Sequence, residues 1–417
     1  MTQSADQRKP GVGDDATDVL LLFAAMMLRA GATATRTREL SGAMAHRLGL
    51  ETPAVCLTLD SVTVSVHCRG ERLVAMRDVG LPGIDVRRIG ELERLANALG
   101  PVVAPHRIAT QLTEIEARPP QYPGWQMAIA VGLASAGFAF LNGAALPEMA
   151  TAAIGGGIGQ GSRWWLTRRQ LPQFSTTALA AISAAGTYVL VAALANHAGF
   201  AFSHYAAGFI STVLFLIPGV SLIAGLFDLL EHQTVAALSR LASGALTLFI
   251  VASGLSIVVT AAAIELLPRS APAELTYPLR LSLRAIASFV AGCGFAMLFN
   301  SAPRSVVVAG IVALAANSLR LFLIDIGMLM APAAFIAALS VGIIAILASR
   351  RYDAELMAIV TAPVVIMIPG LYAFEMIVLF NQGQMLEAMQ SSGAGTFVIS
   401  ALAMGLSVAR LAVPWQR

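Results

Sequence analysis

The stretch "LFLIPGVSLIAGLFDLL", which runs from Leu214 to Leu230, places a Pro-Gly pair in the middle of a long apolar segment. Proline removes a backbone donor and its ring clashes with the preceding helical turn, while glycine relaxes the chain further. A helix over this segment should therefore break at Pro218 and Gly219. Because hydrocarbon cannot satisfy the polar groups that a break frees, a break at membrane depth is expected to line a cavity or to be buried in protein.

The composition indicates that this segment belongs to a membrane protein. The chain has 417 residues, of which 57% are hydrophobic and 12% are charged, and its mean hydropathy is +0.74. This balance predicts an α-helical polytopic membrane protein. An enzyme is not predicted, because the strand spacing of Cys56, Asp60 and His67 assembles no Cys-His constellation. The formal net charge of +3 does not indicate nucleic-acid binding, because the arginines are scattered and many flank apolar segments. The three cysteines and six histidines show no metal or disulfide spacing, so neither a metal nor a cofactor is predicted.

The N-terminal part of the chain predicts a small cytoplasmic α+β domain. Residues 1–16 are polar and are expected to form a disordered tail. Within residues 17–118, the apolar run from Val19 to Leu28 is about half as long as a membrane span, so it predicts a buried helix. The alternation from Val55 to Cys68 predicts strands. The prolines in residues 119–124 predict a linker.

About ten apolar segments follow the linker, each near the ~20 residues that a spanning helix requires. They cover residues 125–145, 149–166, 175–195, 205–227, 238–264, 283–300, 304–324, 329–348, 355–379 and 394–413. Arginines after the second, fourth, sixth and eighth segments predict a protein of the inner membrane with both termini in the cytoplasm. The inter-repeat loop 266–282 is the exception. Arg269, Arg280 and Arg284 lie in or beside it, although the count of spans places it outside.

A second Pro-Gly break occurs in "MIPGLYAFEMIVLF", which starts at Met367. Pro369 and Gly370 follow the first pair by about 151 residues, and "GFAFLN" at 137–142 has a counterpart in "GFAMLFN" at 294–300. These matches predict two copies of five spans, residues 125–265 and 283–417. Because each copy has an odd number of spans, the second enters the membrane from the opposite side. Paired breaks in inverted repeats are typical of secondary transporters, although each break alone could be a packing kink.

Polar residues inside the spans are candidates for a substrate and ion pathway, because an uncompensated charge in a bilayer is costly. The predicted pathway combines the two breaks with four polar side chains: Pro218, Gly219, Asp228, Asn300, Arg320, Pro369, Gly370 and Glu375.

Three of the four polar side chains have a structural alternative, and Glu375 has two functional ones. Glu375, about one and a half turns beyond the second break, could bind a substrate ammonium or a proton. Arg320 could bind a substrate carboxylate or form an ion pair with Asp325. Asp228, Glu265 and Asp325 lie near span ends, where a solvated interfacial position is the alternative. Asn300 could serve as hydrogen-bonding glue between helices.

The chain resembles the threonine/serine exporter family from about residue 17 onward. The resemblance rests on "MLRAGA" from Met27 to Ala32, Arg36, "LGL" at 48–50 and the two "IPG" motifs, the first of them followed by Asp228. It implies a cytoplasmic α/β domain joined to ten spans and export of small amino acids driven by the proton motive force. Split relatives are linked to dicarboxylate export. The sequence departs from the family at Leu371, where a small hydroxyl residue is expected, and at Leu379, which stands where the first half has Asp228.

Two classes of function follow from these features. The first is a secondary active exporter in the lipid bilayer, with protons as the coupling ion. Its substrate would be a small amino acid, above all threonine or serine, or else a dicarboxylate. The second is a membrane-anchored sensor or regulatory protein whose N-terminal domain binds the ligand. Ten duplicated spans favour the exporter, since an anchor requires none of them. A homo-oligomer is compatible with either class.

Overall fold

The structure is a computed structural model. It describes residues 12–58, 60–68, 71–80, 83–98, 100, 103–199, 206–263, 275–352, 356–368, 370–381 and 383–412. The chain divides into two compact units. The N-unit comprises Met1–Pro119 and Phe227–Arg240, and the membrane unit comprises Pro120–Leu226 and Leu241–Arg417.

The N-unit contains two helices, three strands and two further helices in chain order. They are α1 (Val12–Arg29), α2 (Ala34–Arg47), β1 (Glu51–Leu57), β2 (Ser61–Cys68), β3 (Glu71–Asp78), α3 (Val86–Ala98) and α4 (Pro105–Ala117). The strands form an antiparallel sheet in the order β1-β2-β3. Helix α1 packs on β2 and β3. It begins at Val12, so residues 12–16, which were predicted to be part of a disordered tail, form its first turns.

The motif "MLRAGA" forms the turn between α1 and α2. The carbonyls of Arg29 and Ala30 accept hydrogen bonds from the N–H groups of Gly83 and Asp85, at 2.8 and 2.9 Å. Gly31 has a φ of 96°, and a Cβ at this position would lie 2.9 Å from the Gly83 carbonyl oxygen. Only glycine combines this backbone conformation with so close an approach. The backbone conformation of Gly31 and its close contact with Gly83 therefore explain why the motif contains glycine at this position.

The membrane unit is built from helices, two of which also contribute the residues 227–240 to the N-unit. The helices are α5 (Gly124–Leu141), α6 (Leu146–Arg168), α7 (Gln173–His197), α8 (Ala206–Ser211), α9 (Gly219–Leu230), α10 (Thr234–Ala262), α11 (Tyr277–Leu298), α12 (Pro303–Asp325), α13 (Met330–Tyr352), α14 (Leu356–Val365), α15 (Gly370–Asn381) and α16 (Met385–Ala412).

Seven helices among the described residues are long and apolar enough to cross a membrane, so the chain is a polytopic membrane protein. These spans are Gly124–Leu141, Gln173–His197, Thr234–Ala262, Tyr277–Leu298, Pro303–Asp325, Met330–Ser349 and Met385–Leu411. The prediction of ten spans requires three further crossings, by α6 and by the two broken segments at 206–230 and 356–381. It stays a prediction.

Helices in the second half of the chain repeat the lengths of those in the first. Helices α6 and α12 have 23 residues each, and α9 and α15 have 12 each. The equivalent helices α5 and α11 pack closely: a Cβ on Gly137 would lie 2.9 Å from the Ala287 carbonyl oxygen, and one on Gly294 would lie 2.7 Å from that of Ala130. Because the earlier residue of α5 meets the later residue of α11, the two helices are antiparallel.

The start of the second half differs from the sequence prediction in two respects. Helix α11 begins at Tyr277, inside the predicted loop 266–282. Asp325 pairs with Arg284 at 2.7 Å and with Arg280 at 3.9 Å. The alternative ion pair between Arg320 and Asp325 is therefore wrong. Residues five apart on a helix do not share a face, whereas those three or four apart do.

Candidate functional site

The first break lies between α8 and α9, where the helical hydrogen bonds tighten before Pro218. The N–H of Leu216 bonds to the Val213 carbonyl at 2.9 Å, and the N–H of Ile217 bonds to that of Leu214 at 3.1 Å. The N–H of Gly219 then bonds to the Ile217 carbonyl at 2.8 Å, which closes a three-residue turn around the proline. Helix α9 starts afresh at Gly219.

The second break, between α14 and α15, has the same hydrogen bonds at equivalent positions. The N–H of Met367 bonds to the Val364 carbonyl at 2.9 Å, that of Ile368 to Val365 at 3.1 Å, and that of Gly370 to Ile368 at 2.8 Å. Pro369 itself lies outside the described residues, as does Glu265. Both helical segments thus end before the proline and begin again at the glycine with the same hydrogen-bond pattern.

The two breaks contact each other reciprocally. A Cβ on Gly219 would lie 2.6 Å from Cδ1 of Ile368, and a Cβ on Gly370 would lie 2.5 Å from Cδ1 of Ile217. In each half, the isoleucine before the proline therefore packs on the glycine after the proline of the other half. Reciprocal pairing of equivalent residues is the signature of a two-fold relation. The structure thus brings Pro218, Gly219 and Gly370 to one place in the membrane unit.

The space beside the crossing is small and apolar. A cavity of about 20 Å³ is lined by Ile210, Val213, Ile217, Leu248, Val251, Ala252, Leu255, Gly370 and Phe374. This volume holds no more than about one water molecule. An amino acid does not fit into this cavity as the described residues shape it, so binding within it requires the helices to move apart.

Arg320 reaches the second break from helix α12. Its Nη1 donates to the Met367 carbonyl at 3.1 Å, and its Nε donates to Oδ1 of Asn317 at 2.9 Å. The amide of Asn317 in turn donates to Oγ of Ser288 at 2.8 Å. A backbone carbonyl and an amide oxygen hold the guanidinium without neutralising its charge, since both are neutral acceptors. A cation is thereby fixed beside a break in the helix.

Glu375 lies on α15, five residues after Gly370, and its side chain is half-buried. The preceding residue, Phe374, packs edge-to-face on Phe209 of α8 with the ring centroids 6.4 Å apart. This stacking joins the two broken segments at the turn that carries Glu375. The structure therefore places one carboxylate on the helix that starts at the second break.

Asp228 is placed in the N-unit and not at the breaks. Its side chain is fully buried, Oδ1 accepts from the Ala34 N–H at 2.9 Å, and Oδ2 lies 3.1 Å from Nε of Arg240. Nη2 of Arg240 donates to the Ala32 carbonyl at 2.6 Å. This buried ion pair joins the hairpin 227–240 to the "MLRAGA" turn and caps the N-terminus of α2. The solvated position that was the alternative for Asp228 is wrong, because these contacts bury the carboxylate.

Asn300 follows the end of α11 and holds the linker. It has a φ of 57°, a left-handed conformation that asparagine tolerates at a helix C-terminus. Its Oδ1 accepts from the Gln121 N–H at 2.7 Å, and the next carbonyl, of Ser301, accepts from the Tyr122 hydroxyl at 2.9 Å. Arg320 lies ~26 Å further along α12 from the start of that helix. The structure does not bring Asn300 and Arg320 together.

Sequence reasoning missed several residues that shape the site. Ile217 and Ile368 were not singled out, although each precedes a Pro-Gly pair. Arg240 was interpreted only as an orienting charge. Glu148 was passed over at the start of α6, where it is buried and Oε2 accepts from the Ala145 N–H at 2.6 Å. The equivalence of the two halves is the signal that could have found the isoleucines.

Two family models match the chain, one in each half. Residues 18–262 match the ThrE family model, described as that of a threonine/serine exporter, and residues 284–412 match a second model of the same name, ThrE_2. No solved structure matches the chain.

Curated relatives cover different parts of the chain. A protein of Mycobacterium tuberculosis named "Probable threonine/serine exporter" is 27% identical over 373 residues, 87% of this chain and 69% of that protein. Proteins named "Probable succinate transporter subunit YjjP" are 24% identical. The one from Klebsiella aerogenes matches over 55% of this chain and 87% of its own length. The one from Escherichia coli matches over 53% of this chain and 84% of its own length.

Proposed function

Because the chain belongs to the threonine/serine exporter family, we propose that it is a secondary active exporter of threonine and serine. The substrate passes through a site formed where the two Pro-Gly breaks cross, and the proton motive force drives the cycle. The reciprocal packing of Ile217 on Gly370 and of Ile368 on Gly219 carries this proposal. The shared geometry and the mutual contact of the two breaks favour a common role over two unrelated kinks.

The membrane unit is proposed to consist of two inverted repeats of five spans. The antiparallel packing of α5 against α11 supports inversion, because equivalent helices of two inverted repeats run in opposite directions. The equal lengths of α6 and α12 and of α9 and α15 support the duplication. Inverted repeats can exchange their two conformations, and this exchange opens a central site to each side in turn.

Charge at the crossing suits the carboxylate of an amino acid. Helices α9 and α15 both start at the breaks, and a helix N-terminus carries partial positive charge and free N–H groups. Arg320 adds a full positive charge beside the second break, held on the Met367 carbonyl at 3.1 Å. When the breaks separate, a substrate carboxylate can replace that carbonyl as the partner of Arg320.

Glu375 is the proposed coupling residue. A carboxylate on the helix that starts at the second break can accept a proton on one side of the membrane and release it on the other. Its charge also complements the ammonium of an amino acid. Asp228, by contrast, is proposed to anchor the hairpin 227–240 within the N-unit, because its carboxylate is already held by Arg240 and Ala34.

A second candidate function is export of a dicarboxylate. The similarity to the proteins named probable succinate transporter subunits favours it, since they match across more than half of this chain. The same cationic site could bind one carboxylate of succinate. Both candidates place the protein in the inner membrane with its termini in the cytoplasm, as the arginine distribution predicts.

Transport by the purified protein in liposomes tests the function. Liposomes preloaded with radiolabelled threonine, serine or succinate should lose one of these solutes faster than protein-free liposomes, and a proton gradient should change the rate. Two other solutes serve as controls: alanine, which is similar in size to serine, and glutamate, which carries two carboxylates as succinate does. If none of the three labelled solutes moves faster than in protein-free liposomes, the proposed function is wrong.

A further inference from the structure

Helix α6 carries a polar pair at the positions equivalent to Asn317 and Arg320. The helices α6 and α12 have the same length, and their starts at Leu146 and Pro303 align Gln160 with Asn317 and Arg163 with Arg320. In both halves the arginine is half-buried and the amide residue is buried. The first half therefore repeats the cationic position of the second.

The two pairs differ in what they bind. In α12, the guanidinium is held by the Met367 carbonyl and by Asn317. In α6, Oε1 of Gln160 is buried and has no hydrogen-bond partner among the described residues, and the side chain is only 7% exposed. The guanidinium of Arg163 likewise has no hydrogen bond or ion pair within the part of the chain that the structure describes.

The face of α6 that carries this pair packs on Ser135 of α5 and Ala184 of α7, and it also contacts the chain before the first break. Gly156 and Gly159 lie on the same helical stripe as Gln160 and Arg163, at spacings of three and four residues. A Cβ on Gly159 would lie 3.1 Å from Cζ of Phe215, and one on Gly156 would lie 3.6 Å from the Thr212 carbonyl oxygen. Both contacts belong to the chain just before Pro218. The glycines bring α6 close to the break, and the polar pair continues their stripe by one turn.

The buried amide oxygen of Gln160 is costly unless a ligand satisfies it, and the half-buried guanidinium of Arg163 beside it is available to bind an anion. The guanidinium presents two parallel donors that match a carboxylate, and the amide offers both a donor and an acceptor to a neighbouring group. We propose that Arg163 and Gln160 form a second docking position for the carboxylate of the exported substrate, on the first repeat, in addition to the position at Arg320. This inference rests on the proposed exporter function and assigns it a binding residue on the first repeat.

In this assignment Arg163 binds the carboxylate directly and Gln160 orients it. For an amino acid, the amide oxygen of Gln160 accepts from the substrate ammonium. For succinate, the amide donates to the carboxylate. The two substrates thus share the contact to Arg163 and differ in the use of Gln160.

Kinetics in liposomes of neutral phosphatidylcholine test the proposal. We expect Arg163→Gln to raise the KM for threonine by about tenfold or more, which corresponds to the loss of one charge-assisted hydrogen-bonded partner. Threoninamide, which lacks the carboxylate, should then compete about as well as threonine, whereas the parental protein prefers threonine. Gln160→Met should raise the KM for both threonine and succinate, because each substrate loses its contact to the amide.

Arg168→Gln is the matched control. Arg168 lies on the same helix, is exposed, and stacks on the Trp164 ring at 4.2 Å, so its removal should leave KM unchanged. Arg163→Lys keeps the charge without the planar fork and provides a second test if the glutamine variant does not fold. It should also raise KM, by a smaller factor.

Four results contradict the proposal. The first is a parental KM in the folded Arg163→Gln or Arg163→Lys variant. The second is a variant that still prefers threonine over threoninamide. The third is a defect that appears only in vesicles with anionic lipids, which would make Arg163 a lipid headgroup contact. If the parental protein transports neither threonine, serine nor succinate, the proposed function fails and this inference fails with it.

Discussion

At the scale of single residues, buried charges fall into two groups. One group holds the N-unit together, and the other is available to bind an anion. Asp228 and Arg240 neutralise each other and bind the backbone of Ala34 and Ala32. Each charge therefore has two partners, and removing one leaves the other buried and uncompensated. Among the described residues, in contrast, Arg320 is held by neutral groups, which leaves its charge available to an anion.

Asp228→Asn should destabilise the N-unit by about 3–5 kcal/mol, because it leaves Arg240 without its carboxylate. The measurements are the thermal midpoint of the purified protein in detergent and the rate of proteolysis within residues 17–118. Glu387→Gln, which removes an exposed carboxylate from the first turn of α16, is the control and should change neither. A parental midpoint together with abolished transport would instead make Asp228 part of the ion pathway.

Glu375→Gln should separate coupling from binding, because it preserves the shape of the side chain and removes its charge. We expect exchange of labelled substrate across liposomes at zero gradient to continue, while acceleration by a proton gradient is lost. Exchange at zero gradient and transport under a proton gradient are measured on the same preparation, and together they show whether Glu375 acts in coupling or in binding. Loss of exchange as well would assign Glu375 to substrate binding, and unchanged gradient dependence would exclude it from coupling.

At the scale of helices, sequence reasoning located the breaks because Pro-Gly acts through local backbone chemistry. It also predicted a duplication, because the two halves share short apolar motifs, and the equal lengths of α6 and α12 and of α9 and α15 agree with that prediction. It could not find the partner of Asp228, since Ala34 lies 194 residues away in the chain. It paired Arg320 with Asp325 by nearness in sequence, but the helix turns Asp325 towards Arg284.

The crossing of the broken helices predicts a rescue by double substitution. Gly219→Ala should slow transport, because its Cβ would lie 2.6 Å from Cδ1 of Ile368. Ile368→Val removes that atom and should restore transport when combined with it. Transport rates in liposomes measure both the loss caused by Gly219→Ala and its rescue by Ile368→Val.

Gly219→Ala combined with Ile217→Val is the control pair for this experiment. Ile217 packs on Gly370 in the other direction, so shortening it should not restore transport. Equal rescue by both valine substitutions would mean that the breaks do not pack reciprocally.

At the scale of the whole molecule, the proposed inverted repeats predict which loops face each side of the membrane. Residues near Leu146 and Gln382 should be periplasmic, and residues near Thr167 and Tyr352 should be cytoplasmic. Single cysteines at these positions, in a protein with Cys56, Cys68 and Cys293 replaced, should react with an impermeant maleimide from outside only at the first two. Labelling of Thr167→Cys from outside intact cells would overturn the inverted arrangement.

Transport by variants with restored helices tests the central claim that the substrate site lies at the two breaks. Pro218→Ala with Gly219→Ala and Ile368→Val, and separately Pro369→Ala with Gly370→Ala and Ile217→Val, allow each helix to continue, because alanine is a good helix former and stays apolar. The valine substitution removes the atom that the added Cβ would meet. Both variants should insert into the membrane and elute as folded protein, yet lose most threonine, serine or succinate transport in liposomes. Transport by both at the parental rate would make the breaks packing kinks and contradict the account.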